Sequence, residues 1–275
     1  MAIDLDAASS EYITCGSGAT IDDIFDGGGS VAFWLKINTL PADGADMNIL
    51  GQRDSGATVG WDCWINNAGG AGARDNVFGF RHRFSSGGAV WESPDEQFTG
   101  QTGIWFHIVV TYNADATANN PIIYINGSSI SVTEFTSPTG TRSSGAAQNF
   151  EMGYSGANSW DPDVMLEDMR LFTRILTAEE VAILAAGNRG PLGGEVGWWD
   201  LDRPAAQTLA TTDLLPDLSG NSNTGTPTNS PIGRYDPDIK RIRPLLYGGR
   251  RLRWRHRDVA RISGPALGRW WDRDF

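Results

Sequence analysis

Cysteine is nearly absent from this chain: Cys15 and Cys63 are the only two among 275 residues. That excludes a disulfide-stapled scaffold and a multi-cysteine zinc site, and two buried thiols are expected rather than a bridge. No run approaches eighteen consecutive apolar residues, which excludes a membrane-spanning helix. The opening MAIDLDAASSEYI has neither a basic nor an apolar segment, so no secretory signal peptide is expected. Histidine is scarce as well, with only His82, His107 and His256. There is no G-x-S-x-G elbow, no H-E-x-x-H, no G-x-x-x-x-G-K-[ST], and no G-x-G-x-x-G in a strand–turn–helix setting. Serine-hydrolase, zinc-hydrolase and nucleotide-binding chemistry therefore lack their local signatures.

Strands and turns are what the chain does have. Hydrophobic residues make up 40% and charged residues 20%, enough for a core and too apolar for global disorder. The 34 glycines and 13 prolines point to many turns. Val31, Phe33, Leu35 and Ile37 alternate with Ala32, Trp34 and Lys36, the period of a half-buried strand. Residues 104–112 (IWFHIVVTY) are apolar at nearly every position, as a central strand covered on both faces requires. Further strands are expected at 11–15, 48–52, 59–65, 77–84, 122–126, 129–135, 149–154, 164–172 and 195–201. Asn126-Gly127 supplies the positive φ angles of a type I′ hairpin. Thr177-Ala-Glu-Glu180 is a capping box, followed by Val181, Leu184 and Ala185 at helical spacing and Gly187 as the C-cap. The sum is an all-β fold: a two-sheet antiparallel jelly-roll sandwich with one short closing helix and an irregular C-terminal extension.

Charge is divided unevenly. Residues 240–275 hold eleven Lys or Arg and three Asp, a net +8, and the other 239 residues carry −19. Three regions follow: a sandwich over 1–190, a strand plus wrapping segment over 191–238 that completes it, and an Arg/Trp-rich anchoring tail over 239–275. Basic residues alternate with aromatics in RRLRWRHRD, but a −19 body repels a polyanion, so nucleic acid is disfavoured as a partner. Arg and Trp also dominate protein interfaces, which makes Arg250, Arg251, Arg253, Trp254, Arg255, Arg257, Trp270 and Trp271 the expected assembly residues.

Three passages together resemble the laminin-G/pentraxin-like branch of the concanavalin A-like superfamily. They are Gly29–Lys36 (GSVAFWLK); Trp105–Tyr112 with Ile123–Gly127 (IYING); and Leu166–Val181 (LEDMRLFTRILTAEEV). The resemblance covers roughly residues 1–190 and implies a concanavalin A-like jelly roll, a fold that carries lectins, adhesion modules and some glycosidases. A fourth passage, Val196–Leu201 with Asp217–Gly225, is similar to the opening segment of such domains yet follows the closing helix. It either completes its own sandwich, the favoured arrangement, or pairs with an edge of a neighbouring copy. With its Arg-rich tail the chain resembles the tailed-phage structural proteins of this family. The expectation is a non-enzymatic virion surface protein, a capsid decoration or tail-associated adhesin, made in the host cytoplasm. Its partners would be other virion proteins, copies of itself and a host-surface glycan. A free-standing carbohydrate-binding lectin is the alternative, and a glycosidase comes third.

A glycan site needs aromatic platforms beside polar groups. Trp61, Trp64, Arg81, His82, Arg83 and Trp91 lie on successive expected strands and are the candidates for a shared face, with at least half of the tryptophans expected in the core. Glycoside hydrolysis needs two suitably spaced carboxylates. Glu92, Asp95 and Glu96 read as loop acids, and Glu167-Asp168 as neighbours on opposite strand faces, so solvated surface acids are expected at both places. No cofactor is expected. Calcium is the one ion the resemblance brings in; Asp22, Asp23, Asp54, Asp161 and Asp163 are the loop acids available, and ordinary surface acids are the preferred reading.

Overall fold

Strands form where β-branched and aromatic residues are dense, and they pair into two antiparallel sheets. The computed structural model describes residues 1–236 and 238, apart from 70–73, 154–159 and 205. In chain order the strands are β1 (Ala2–Leu5), β2 (Tyr12–Thr14), β3 (Gly29–Ile37), β4 (Ala45–Arg53), β5 (Gly60–Asn67), β6 (Asp75–Phe84), β7 (Gly87–Glu92), β8 (Trp105–Tyr112), β9 (Ile122–Ile125), β10 (Ser128–Ser129), β11 (Thr133–Thr136), β12 (Phe150–Met152) and β13 (Val164–Phe172). Helix α1 (Ala178–Ala185) follows, then β14 (Glu195–Trp199), β15 (Thr226–Thr228) and β16 (Ile232–Arg234). The first sheet runs β10-β9-β8-β3-β13-β1-β16, with β14 beside β13; the second runs β11-β7-β6-β5-β4-β12-β2-β15.

Between the sheets lies one apolar core. Phe33, Leu35, Ile108, Val110 and Leu166 enter it from the first sheet, and Ile49, Cys63, Phe78, Phe80 and Trp91 from the second. Phe25, from the β2–β3 connection, meets Trp61 and Phe80 edge-on at 5.1 and 5.2 Å. Each such large side chain contributes about 1.5–3 kcal/mol on burial. Cys15 and Cys63 are both free and buried. The hairpin at Asn126-Gly127 forms as expected, with φ of +52° and +85° and Ser128 paired to Ile125. The capping box forms too: Thr177 Oγ1 accepts from the Glu180 N–H at 3.3 Å, and Glu180 Oε2 accepts from the Thr177 N–H at 2.9 Å.

Several expectations need correction. Strand β3 is buried on both faces rather than one, because Ala32 lies under the helix and Trp34 packs with Trp105 and Met165. The span 129–135 divides into β10 and β11, which belong to different sheets. Strand β7 begins at the paired glycines Gly87 and Gly88. The irregular span 202–237 also holds two three-residue strands, β15 and β16. Residues 195–234 thus supply strands to both sheets: β14 pairs with β13, β16 with β1, and β15 with β2.

Candidate functional site

A sandwich has two outer faces, and this chain covers one of them itself. On the first sheet, Val181 and Leu184 of α1 pack on Ala32, Val109 and Tyr124. Beside them Arg170 is enclosed at 1% side-chain exposure. It donates to both Asp168 carboxylate oxygens at 3.1 and 3.2 Å, and to the carbonyls of Asn188 and Gly190 at 3.0 and 2.9 Å. Its guanidinium also lies 4.2 Å from the Trp198 ring centroid, and Trp198 Nε1 donates to Asp168 at 2.8 Å. A register shift between Glu167 and Arg170 and a positive φ of 49° at Asp168 make this arrangement possible. Glu167, fully buried beside Arg189, is pushed up by burial to about 10.

No described helix or strand packs on the outer face of the second sheet. Antiparallel partners point to the same side, so the register assigns the residues of that face. One row crosses six strands as Thr14, Glu151, Gly51, Asp62, Arg81 and Val90. Asp62 is 1% exposed and sits between two guanidiniums. Arg81 Nε donates to Asp62 Oδ1 at 2.8 Å and Arg81 Nη2 engages Oδ2, while Arg53 Nε lies 3.1 Å from Oδ2. Oriented with its amide oxygen toward Arg53, Asn48 accepts from Arg53 Nη2 and Nε at 2.6 and 3.0 Å. Trp64 pairs with Gly79, and its ring lies flat where a Gly79 side chain would be, with Arg81 4.9 Å from the ring centroid. Arg83 extends the face at the next outward position of β6.

The electrostatics of this face are unbalanced. Burial first, then the neighbouring Arg81 and Arg53, lower the Arg83 pKa from its ordinary value. Burial pushes Glu151 up to about 7, with Arg53 acting against that rise. At the edge, Arg74 donates to Glu92 Oε2 at 2.6 Å and stacks 3.7 Å from the centroid of the Phe135 ring.

Of the residues expected to share a glycan-binding face, the structure brings Trp64 and Arg81 together on the second sheet's outer side. Trp61, His82 and Trp91 point the other way and are core residues, exposed by 2%, 2% and 0%. Adjacent strand positions face opposite sides, so Arg81 and His82 cannot share a face, nor can Trp61 and Trp64 three residues apart. His82 stacks against Phe25, Phe84 and Tyr112, and burial lowers its pKa to about 4. Of the acids expected to be solvated, Asp95 and Glu96 are exposed, but Glu92, Glu167 and Asp168 are buried at 3%, 0% and 6% exposure, each against an arginine: Arg74, Arg189 and, two residues along the same strand, Arg170. Sequence reasoning missed Asn48, Arg53, Asp62 and Gly79. The odd spacing of Trp61 and Trp64 was the available signal that two faces were involved. The assembly candidates Arg250, Arg251, Arg253, Trp254, Arg255, Arg257, Trp270 and Trp271 lie outside the described residues.

Each of the loop acids named for calcium accepts hydrogen bonds from within the chain. Asp22 accepts from Gln52, Asp23 from Ser144 and Gly145, Asp54 from Thr58 and Val59, Asp161 from Ser10, and Asp163 from Asn38. Among the described residues no group of three or more His, Cys, Asp or Glu is placed to hold a metal.

With this geometry in place, comparison with known proteins gives the following. The family described as the concanavalin A-like lectin/glucanases superfamily matches residues 8–182. No curated protein matches the sequence. A solved structure of a Bacteroides ovatus protein named for carbohydrate binding superposes with a TM-score of 0.57 at 16% identity, covering 86% of this chain and 60% of that one. The chain thus spans 60% of that protein's length, and the likeness is one of fold. The binding domain of Paraclostridial Mosquitocidal Protein 1 is similar at a TM-score of 0.44 and 17% identity, covering 60% of this chain and 38% of that one. A botulinum neurotoxin type C structure, whose cell entry depends on two ganglioside molecules, is similar at 0.41 and 21%, covering 57% and 35%.

Proposed function

The chain belongs to the concanavalin A-like lectin/glucanase superfamily, and from that premise we propose that it is a non-catalytic glycan-binding module whose binding surface is the outer face of the second sheet. One observation carries the reading: the first sheet's outer face is covered by the chain's own helix and strap, whereas no described helix or strand packs over the second, where partly exposed Arg81 and Arg83 lie beside buried Asp62 and Trp64 and the enclosed side chain of Arg53. A sheet face of this kind offers fixed donors and acceptors for sugar hydroxyls beside an aromatic–guanidinium stack. Non-catalytic action is supported by the state of the acids. Asp62 is held by two arginines and Glu92 by Arg74, so neither is a free carboxylate for glycoside hydrolysis.

The test is a glycan-array screen of the full chain followed by titration of the hits. Binding at micromolar strength that drops tenfold or more in Arg81→Gln is the expected result, about the loss of one charge-assisted hydrogen bond. Absence of any glycan ligand, or binding untouched by Arg81→Gln, would overturn it. Polysaccharide turnover abolished by Glu151→Gln would replace it with the glycosidase reading.

The charge division favours a second element. We propose that the +8 segment 240–275 anchors the −19 remainder to neighbouring copies or to other virion proteins, so that the sandwich faces outward from a phage particle. Replacing Arg250, Arg251 and Arg253 by Ala should release the chain from purified particles. Absence of the chain from virions of its source would end this reading.

A further inference from the structure

The open face carries a charge with no counterpart. Arg53, Arg81 and Arg83 share it with Asp62, whose two oxygens are already taken by Arg53 and Arg81, with Asp46, which accepts from Asn66, and with Glu151. The Arg83 side chain makes no hydrogen bond or ion pair with any described residue, and its Nε is shielded from solvent. Asp54, the other acid whose field reaches it, is spent on its own turn: Oδ1 accepts from the Thr58 and Val59 N–H groups at 2.6 and 3.0 Å, and Oδ2 from Thr58 Oγ1 at 2.7 Å. A guanidinium keeps its proton throughout the accessible pH range, so Arg83 holds a half-buried positive charge with its donors unused.

The floor around it is bare. Arg83 pairs with Gly88, and its Nη1 lies 2.5 Å from where a Gly88 Cβ would stand. The Trp61–His82 register sets Gly60 on its other side. Gly60 is buried with Gly145 against it, so the partly exposed Gly88 side is the one that leaves the guanidinium room for an incoming group. We propose that the outer face of the second sheet selects an anionic sugar, whose carboxylate or sulfate seats on Arg83 beside Arg81 and Arg53. This inference rests on the glycan-binding reading above and names the ligand class. The planar fork of Arg matches both oxyanions in bidentate fashion, at about 2.7–2.9 Å. The −19 body opposes an anion at long range, but at physiological salt that field decays over about 8 Å and leaves the local contact to decide.

The experiment titrates the full chain calorimetrically with oligosaccharide pairs that differ only in the charged group. One pair is an oligogalacturonide and its carboxyl-reduced form; the other is a sulfated dextran oligosaccharide and the unsulfated chain. The anionic member of at least one pair should bind roughly tenfold or more tightly than its neutral partner, and the pair showing the preference identifies the oxyanion. Arg83→Gln should erase the preference. Arg234→Gln, the same charge change on the first sheet's edge strand, should preserve it. Inorganic sulfate should compete with the anionic member on the unaltered protein, which keeps the test valid if Arg83→Gln folds poorly. Neutral members binding as tightly as anionic ones, or a preference surviving Arg83→Gln, would overturn this inference and leave glycan binding standing. No binding by any member would overturn both.

Discussion

The two outer faces of the sandwich each hold arginines among acids, and they use them in opposite ways. Arg170 on the first sheet is saturated: a bidentate carboxylate, two carbonyls and an indole ring enclose it. The Arg83 guanidinium on the second has no hydrogen-bond or ion-pair partner among the described residues. Burying a charge is tolerable only with its hydrogen bonds made, so the first arrangement is a structural joint that fastens the 188–198 strap to β13. An arginine left half-buried and unanswered costs stability, and a bound anion recovers that cost. The contrast separates charges that hold the fold from a charge that is available to a ligand.

The comparison can be broken most forcefully at Arg170. Arg170→Met strands Asp168 in a buried site and should cost about 3–5 kcal/mol in urea unfolding; a loss below 1 kcal/mol would show the joint to be incidental. Next comes the open face's own scaffold. Gly79→Ala places a Cβ 2.3 Å from Trp64 Cε2, and the displaced ring should cost about 1–3 kcal/mol by the same measurement. A smaller effect concerns Glu151, whose pKa rises from 4.5 to about 7 on folding because of burial. The folded state therefore binds more protons than the unfolded between these values, and stability from this group is present below them and lost as pH rises through about 7. Against Glu151→Gln, the melting temperature of the unaltered protein should fall by about 2–4 °C between pH 4.5 and pH 8, what roughly 1 kcal/mol does to a domain this large. The smallest effect sharpens the contrast best. Arg83→Gln should change unfolding free energy by no more than about 0.5 kcal/mol, because no hydrogen bond is lost and the relieved repulsion from Arg81 and Arg53 is offset by the lost attraction of Asp62 and Asp54.

What the sequence made legible was local. The apolar run of β8, the Asn126-Gly127 hairpin and the Thr177–Glu180 capping box each specify their structure within a few residues, and together with the passage order they point to the sandwich. Strands β1 and β16 were not legible, because they are three or four residues long and pair across the whole chain, Ile3 opposite Gly233. The candidate site was half legible. Trp64 and Arg81 stand out as residue types, but their neighbours Arg53 and Asp62 join them only through the β4–β5–β6 register, which no local pattern encodes. The buried acids were misread for the same reason. Glu92 and Glu167 look like surface carboxylates until Arg74 and Arg189 are placed by tertiary pairing, whereas Asp168 meets Arg170 two residues on through a register shift that alternation does not foresee.

The most direct test of the account is hydroxyl-radical footprinting of the full chain with and without its best-bound oligosaccharide. Protection should concentrate on the open face, at Arg53, Arg81, Arg83 and Val90, and leave Ile183 of α1 and Arg234 of β16 unchanged. Protection centred on α1 or β16, with the second sheet's outer face as reactive as before, would contradict it.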